Sequence, residues 1–487
     1  MKKVLSLLFA LLMIANVSAL AYSPFEVTEA IFKGDASISY PTLPEEGEME
    51  LSAEGETFEE VVLAGWDKFS EKIDVEKFKI KEAELLNLYS RVSYDNPLYY
   101  YIGNQFSYWY DVDWRTGQRY ITDICPTYTT TDRSEVESVW KQIEDETNNI
   151  LLNIDSDMTD FEKVMAVHDY MVLNYDYDYT YENHSITIMI TKLGVCESYA
   201  NAFNYVMSVV GIESVFVASD AMVHAWNLVK VDGKWYHIDV TWDDTARPDQ
   251  VGHQFELLSD ERIQSMDNPH YGYDTGGRVA DSDIYDNADW HNTSAQVVSV
   301  NGVDYWVSGG NLVDGEGNII YENLAGADGR WGIGDGYSFT NAIYAGLAVF
   351  SRMVYFNTDT GIYCYSPKTK EIKLIEEEVG ICGIYIDKNI LRYCKFNRLS
   401  SEFYEAGNLT LNGIRYAIPY VKNDKVFAEV FNSGTKNVKL FTFGINGCES
   451  FEVEEGLNTF ELDAEEGKYM FIWDSTLRPL KNKIKLP

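Results

Sequence analysis

Cys196, His224 and Asp239 are the residues of this 487-residue chain whose types and settings could do chemistry. Cys196 lies in the run "KLGVCESYANAF". Gly194 interrupts what precedes it. Tyr199, Phe203, Val206, Met207 and Val210 then recur at intervals of three and four before Gly211, so a helix is predicted to start at Cys196. A thiol at a helix start faces unpaired backbone N–H groups and the positive end of the dipole, which favour thiolate. The same N–H groups can donate to an oxyanion. The competing reading is a buried structural cysteine. A position at a helix start after glycine, rather than inside an apolar stripe, weighs against it.

His224 and Asp239 lie on one predicted hairpin. Val223 to Val231 alternates, Asp232-Gly233 is a two-residue turn signal, and Lys234 to Trp242 alternates again. A two-residue turn sets Val231 opposite Lys234, Leu228 opposite His237, Trp226 opposite Asp239 and His224 opposite Thr241. His224 and Asp239 then share a face as diagonal neighbours about 7–8 Å apart between Cα atoms, close enough for their side chains to meet. A one-residue slip would separate them onto opposite faces. His237 shares that face too, but it sits nearer the turn and only two residues from Asp239 on the same strand, so His224 is the preferred partner. Asp243 and Asp244 follow the predicted strand end and read as solvated acids. A Cys with a His and an Asp permits nucleophilic catalysis: the imidazole takes the thiol proton, and the carboxylate fixes its tautomer and supports its cation. The reaction would be acyl transfer, most often from an amide, through a thioester.

The elements around these residues read as mixed α and β. Apolar residues recur at helical spacing from Glu56 to Val92, through Val61, Val62, Trp66, Phe69, Leu85, Leu86 and Leu88. A Tyr-rich run from Leu98 to Tyr110, the turn signal Thr116-Gly117 and the run Tyr120 to Ile124 predict a hairpin. Ser134 with Glu137, and Thr159 with Glu162, read as capping boxes that open two helices. His168 falls on the apolar stripe of the second and is expected to be a buried core histidine. Beyond residue 295, short β-like runs alternate with turn signals, and their Tyr-rich recurrence suggests propeller-like repeats. From about Ile414 onward a further strand-rich set is consistent with a β-sandwich.

Charge excludes some partners. Lys and Arg total 39 against 77 Asp and Glu, a formal net charge of −38. Nucleic acid and anionic membrane surfaces both need clustered positive charge, so neither is expected. Lys2 and Lys3, the apolar run Val4 to Ile14 and the small residues up to Ala21 have the order of a secretory signal, with cleavage expected after Ala21. An exported protein with no stable membrane span after cleavage follows. Six cysteines (Cys125, Cys196, Cys364, Cys382, Cys394 and Cys448) are too few for a disulfide framework, although one local bridge among Cys364, Cys382 and Cys394 fits their spacing. Asp281, Asp283 and Asp286, like Asp314, Asp328 and Asp335, cluster without the spacing of an EF-hand loop, so no metal and no cofactor are predicted.

The motifs "FEKVMAVHDYMVLNYDYD", "GVCESYANAF" and "HAWNLVKVDGKWYHIDVTWDD" together resemble the transglutaminase-like superfamily, a papain-like group with Cys, His and Asp in that chain order. The likeness spans roughly residues 155 to 260, and in general layout it extends to secreted bacterial multidomain members, which "HQFELLSDERI" also fits. It implies Cys196 as nucleophile, His224 as general base and then acid, and Asp239 as orienter of the imidazole. It also implies a protein or peptide substrate, with cell-wall peptide a candidate. One departure bears on the reaction. Animal transglutaminases carry a tryptophan directly after the nucleophile and another upstream for the oxyanion. Here Glu197 follows Cys196 and no Trp lies between Trp140 and Cys196, so hydrolysis is favoured over cross-linking and the second oxyanion donor is open, with Tyr181 and Asn183 as candidates.

The expected fold is α+β, with a papain-like or transglutaminase-like core. Residues 1–21 form the signal, 22–50 a linker, 51–150 an amino-terminal α+β segment packing on the core, 151–290 the core, 291–412 a β-rich module and 413–487 a β-sandwich. The alternative function is a catalytically silent surface-binding or adhesion protein built on the same core. Oligomeric state is left open by the sequence.

Overall fold

The computed structural model describes residues 57–485 apart from 114, 155–157, 181–184, 246–249, 325–331, 334–336, 339–344, 359, 398–401, 417–418, 423–424, 436, 445–446, 463–468 and 474–483. The predicted signal and linker, Tyr181, Asn183, Asp328 and Asp335 lie outside the described residues.

The helical spacing read between Glu56 and Val92 resolves into two helices. Helix α1 (Phe58–Asp67) starts at Thr57, whose hydroxyl accepts from Glu60 N while the Glu60 carboxylate accepts from Thr57 N. It buries Val61, Val62 and Trp66. Strand β1 (Ile73–Asp74) separates it from α2 (Glu82–Asp95), which turns Leu85, Tyr89 and Val92 inward and leaves Leu86 exposed. The predicted hairpin is β2 (Ile102–Val112) and β3 (Arg119–Tyr128), in an antiparallel sheet ordered β1-β3-β2. Helix α3 (Arg133–Leu151) is capped by Asp132, two residues earlier than the expected Ser134. Asp132 Oδ1 accepts from Ser134 N at 2.9 Å and from the Ser134 hydroxyl at 2.7 Å, so Ser134 is itself held by the cap.

Helix α4 (Asp160–Asn174) does open at the predicted capping box, with Glu162 N donating to the Thr159 hydroxyl at 3.2 Å. Strand β4 (Asp176–Tyr177), helix α5 (Ile188–Thr191) and strand β5 (Leu193–Gly194) lead into α6 (Cys196–Val209), and β4 and β5 pair in parallel. An antiparallel sheet follows: β6 (Ser214–Ser219), β7 (His224–Val231) and β8 (Lys234–Ile238), with β7 central. Short helices α7 (Val240–Asp243) and α8 (Asp260–Ser265) complete this part of the chain. Helix α6 is buried around most of its circumference, as a helix sandwiched between α4 and the β6–β8 sheet must be. A single apolar core runs from Trp66 and Tyr101 through Trp140 and Phe203 to Tyr236, so the amino-terminal elements and α6 share one interior.

Beyond residue 295 the chain forms successive antiparallel meanders. Four strands span 298–321, four span 347–377 and three span 381–410. Two further sheets, built on strands Lys425–Asn432 and Val438–Gly444, face each other across Val426, Ala428, Val430, Val438 and Leu440. That is a β-sandwich. It seats on α3 through polar groups: Lys422 Nζ lies 2.6 Å from Glu144 Oε1, and Asn148 Nδ2 donates to Glu429 Oε1 at 3.3 Å. The whole is α+β with β-rich modules. Among the described residues no helix is long and apolar enough to cross a membrane.

Candidate active site

Cys196 is the first residue of α6, as its setting predicts. Gly194 is required by packing: a Cβ there would sit 2.2 Å from Ser198 Oγ. That oxygen accepts from Val195 N at 2.8 Å, closing the chain tightly into the helix. Cys196 is half-buried against Ala200, Ala225, Phe216 and Tyr94, the last two stacked with centroids 4.1 Å apart.

The β7–β8 register is the predicted one, with Val231 opposite Lys234 and Leu228 opposite His237. Asp232 and Gly233 both take positive φ, +49° and +78°, the two-residue turn that matches strand twist. The expected strand to Trp242 does not form. β8 ends at Ile238, because Asp239 leaves the sheet and caps α7, its Oδ1 accepting from Trp242 N at 3.1 Å. Thr241 is therefore helical, and His224 instead pairs across β6 with Ser219.

Asp239 and His224 meet nonetheless: His224 Nε2 is 2.6 Å from Asp239 Oδ2. The other ring nitrogen is left for the Cys196 thiol, which acts on this imidazole to raise its pKa. His224 stacks against both Trp226 and Trp242, with centroids 5.7 and 5.1 Å away and interplanar angles of 20° and 25°. Two indole faces both fix the ring and favour its cation. Val223, just before it, holds φ +53°, a strained value for a β-branched residue.

His237 is excluded as an alternative partner by its bonds. Its Nδ1 accepts from the Trp226 indole at 3.0 Å and its Nε2 donates to Asp260 Oδ1 at 2.9 Å. Burial lowers its pKa despite Asp260. It braces the tryptophan that stacks on His224.

Two neighbours were not read from the sequence, and a third was read as solvated. His270 Nε2 donates to Asp239 Oδ2 at 2.8 Å, so this oxygen serves two imidazoles. Tyr177 is raised in pKa by burial first and then by the Cys196 thiol, which places its hydroxyl beside that residue. Asp243, expected to be solvated, is 2% exposed and accepts from Phe255 N with both oxygens at 3.1 Å. The turn into α7 at Asp239 is what swings it inward. Asp244 is half-buried and accepts from the Tyr199 hydroxyl at 2.8 Å. A signal for the missed histidines exists: all seven in the chain fall between residues 168 and 291. No disulfide joins any two of Cys125, Cys196, Cys364, Cys382 and Cys394, so the local bridge that fits the spacing is not formed.

Electrostatics favour a charged pair. Burial pulls the His224 pKa down, but the Asp239 charge and hydrogen bond, helped by Cys196, lift it from 6.5 to about 10. For Asp239 burial pushes upward, and His224 with His270 overcomes it, lowering the carboxyl from 3.8 to about 2. A raised imidazole contributes stability that is full below pH 6.5 and lost as pH climbs to about 10. A depressed carboxyl contributes stability that is full above pH 3.8 and lost as pH falls to about 2. Both describe one ion pair, so its contribution should be flat from about pH 4 to 6.5 and decay above. Thermal unfolding of wild type and His224→Gln should therefore differ most in that acidic window, by about 3–5 kcal/mol, because removing one partner strands a buried charge. The gap should close toward pH 10. A gap that is constant with pH would refute the pairing.

Residues 149–240 match the family model described as Transglutaminase-like superfamily, so the stretch that brings Cys196, His224 and Asp239 together is a transglutaminase-like core. Three solved structures are similar. One is a TGase, 14% identical with a TM-score of 0.21, covering 36% of this chain and 52% of that one. Another is a provisionally assigned cysteine protease from Cytophaga hutchinsonii, 13% identical with a TM-score of 0.19, covering 28% and 61%. The third is a provisionally assigned protease from Parabacteroides distasonis, 12% identical with a TM-score of 0.17, covering 34% and 39%. The chain thus spans less than two thirds of each of these proteins. No curated protein matches it.

Proposed function

We propose that the protein is an exported cysteine enzyme that opens amide bonds of proteins or peptides through a thioester on Cys196, with water completing the cycle more readily than an amine. The observation that supports it most is the single line of contacts from the Cys196 sulfur through His224 to Asp239. In this reading His224 already holds the proton of the Cys196 thiol, so a thiolate–imidazolium pair meets the substrate and the sulfur bonds to the acyl carbon. The resulting oxyanion takes the Cys196 N–H and the Tyr177 O–H as donors, which makes Tyr177 the second donor that the sequence leaves open. As the tetrahedral species collapses, the C–N bond breaks and His224 returns the proton to the departing amine. Water then attacks the thioester, giving up a proton to His224, and releases the acid and the thiol. Glu197, standing where animal transglutaminases place a tryptophan, supports hydrolysis over cross-linking. Export rests on the Lys2 to Ala21 pattern.

The full chain should be incubated with a mixed peptide library and a primary amine and the products weighed by mass spectrometry. Cleavage or deamidation products are expected in excess of amine adducts, and all should vanish after prior treatment with iodoacetamide. Amine adducts in excess would reassign the enzyme as a transferase. No iodoacetamide-sensitive change would leave the silent adhesion reading, which the exposed Trp109, Tyr108 and Tyr110 of the amino-terminal hairpin would then serve.

A further inference from the structure

Behind the active site lies a second cluster of ligand-type side chains that acyl transfer does not use. Helix α4 supplies His168 and Asp169, and the segment after α7 supplies His253 and Glu256. All four are between 0% and 1% exposed, and one ligand atom from each lies within 4.8 Å of the others. We propose that these four residues hold a divalent transition-metal ion of the zinc class, as a closed structural site.

The first ground is how each side chain is tied from behind. His253 Nδ1 lies 3.3 Å from the Thr293 carbonyl, which can only accept, so this nitrogen carries the proton and Nε2 is the bare one. Nε2 points at Asp169 Oδ1, 3.1 Å away. His168 Nε2 lies 3.3 Å from Asp243 Oδ2 without an aligned hydrogen bond, and Nδ1 lies 3.1 Å from Asp169 Oδ1 and 3.5 Å from Glu256 Oε2. Asp169 Oδ2 is held by Val297 N at 2.9 Å. Carbonyl and carboxylate groups bracing the outer atoms of the ligands are the usual support of a metal site.

Glu256 is the second ground. It is wholly buried and neither carboxylate oxygen receives a hydrogen bond, a costly state for a carboxylate that nothing neutralises. A cation at the common point would serve all four at once.

Spacing agrees. An ion with bonds of about 2.0–2.2 Å in tetrahedral array holds its donor atoms roughly 3.3–3.6 Å apart. Three of the six donor separations are 3.1, 3.1 and 3.5 Å, and all six lie within 4.8 Å. Two nitrogen and two oxygen donors suit zinc, and burial of all four marks a site with no open position for chemistry. The ion would pin α4 to the segment after α7, and through Asp243 it would steady the short helix that Asp239 caps.

The test uses the full chain. Metal analysis after dialysis against a weak chelator should find about one zinc ion per chain. Protein refolded with Zn²⁺ should melt at a higher temperature than protein refolded with EDTA. Protein refolded with Co²⁺ should show the visible ligand-field bands of a tetrahedral ion. His253→Gln and Glu256→Gln should each lose the bands, whereas Asp239→Asn should keep them, which separates this cluster from the one formed by His224, Asp239 and His270. If either variant fails to fold, the wild-type comparison of Zn²⁺ with EDTA still decides. Wild-type protein with no retained metal, no cobalt bands and no change in melting would overturn the proposal, as would bands that survive in both variants.

Discussion

Cys196→Ala should leave a folded protein with no acyl-transfer activity and no rapidly alkylated thiol. Alanine suits the first position of α6 and sits easily among Ala200, Phe216 and Ala225, so the stability cost should stay near 1 kcal/mol. The chemical loss should be near the limit of detection, on the order of 10⁵–10⁶-fold, because a nucleophile and its base act as one unit. Labelling gives an independent readout. Cys364, Cys382 and Cys394 are 5%, 3% and 0% exposed, and Cys125 is half-buried without an imidazole partner in its strand pairing. Cys196 alone among these acts on an imidazole whose pKa Asp239 lifts to about 10. Iodoacetamide at low concentration should therefore modify Cys196 well ahead of the others, and the fast phase should be missing from the alanine variant. Several thiols reacting at similar rates, or turnover surviving the substitution, would remove Cys196 from the chemistry.

What the sequence discloses here depends on whether a residue lies in a periodic element. Cys196 and His224 could be placed because a helix start and a two-residue hairpin turn have local signatures. Asp232-Gly233 sets the register, and from it the shared face of His224 and Asp239 follows by counting. The strand's end was misjudged for a reason that alternation cannot carry. "DVTWDD" alternates well enough for a strand, yet the Asp239 carboxylate can also cap a turn of helix, and the bond to Trp242 N wins. That choice moves Asp243 from solvent into the interior. Tyr177, His253, Glu256 and His270 come from two-residue strands or irregular segments, where no period says which side chain faces which. Their positions are set by tertiary packing: His270 lies against Trp226, Trp242 and Phe255, with centroids 4.6, 4.3 and 5.5 Å away.

Asp239→Asn should lower kcat by about 10³–10⁴-fold, with KM changing little. The carboxylate has more tasks than an amide can perform. Oδ2 accepts from His224 and from His270, at 2.6 and 2.8 Å, while Oδ1 accepts from Trp242 N. If the asparagine oxygen takes the Oδ2 place, the amide N–H₂ meets the Trp242 N–H, two donors face each other, and the cap of α7 is lost. If the amide is reversed, N–H₂ confronts both imidazoles. His224 must then carry its proton on Nδ1, toward the sulfur, and cannot accept one from the thiol. In either arrangement the negative charge that lifts His224 to about 10 is gone, and neutral pH no longer holds the imidazole as a cation. A pH series separates this electrostatic loss from simple loosening. Wild-type alkylation of Cys196 should stay fast through neutral pH, whereas the variant should need alkaline solution to approach the same rate. A destabilised but electrostatically intact site would instead keep the wild-type profile at reduced amplitude and recover on cooling. An asparagine variant within tenfold of wild type at pH 7 would mean that His224 is oriented by other groups.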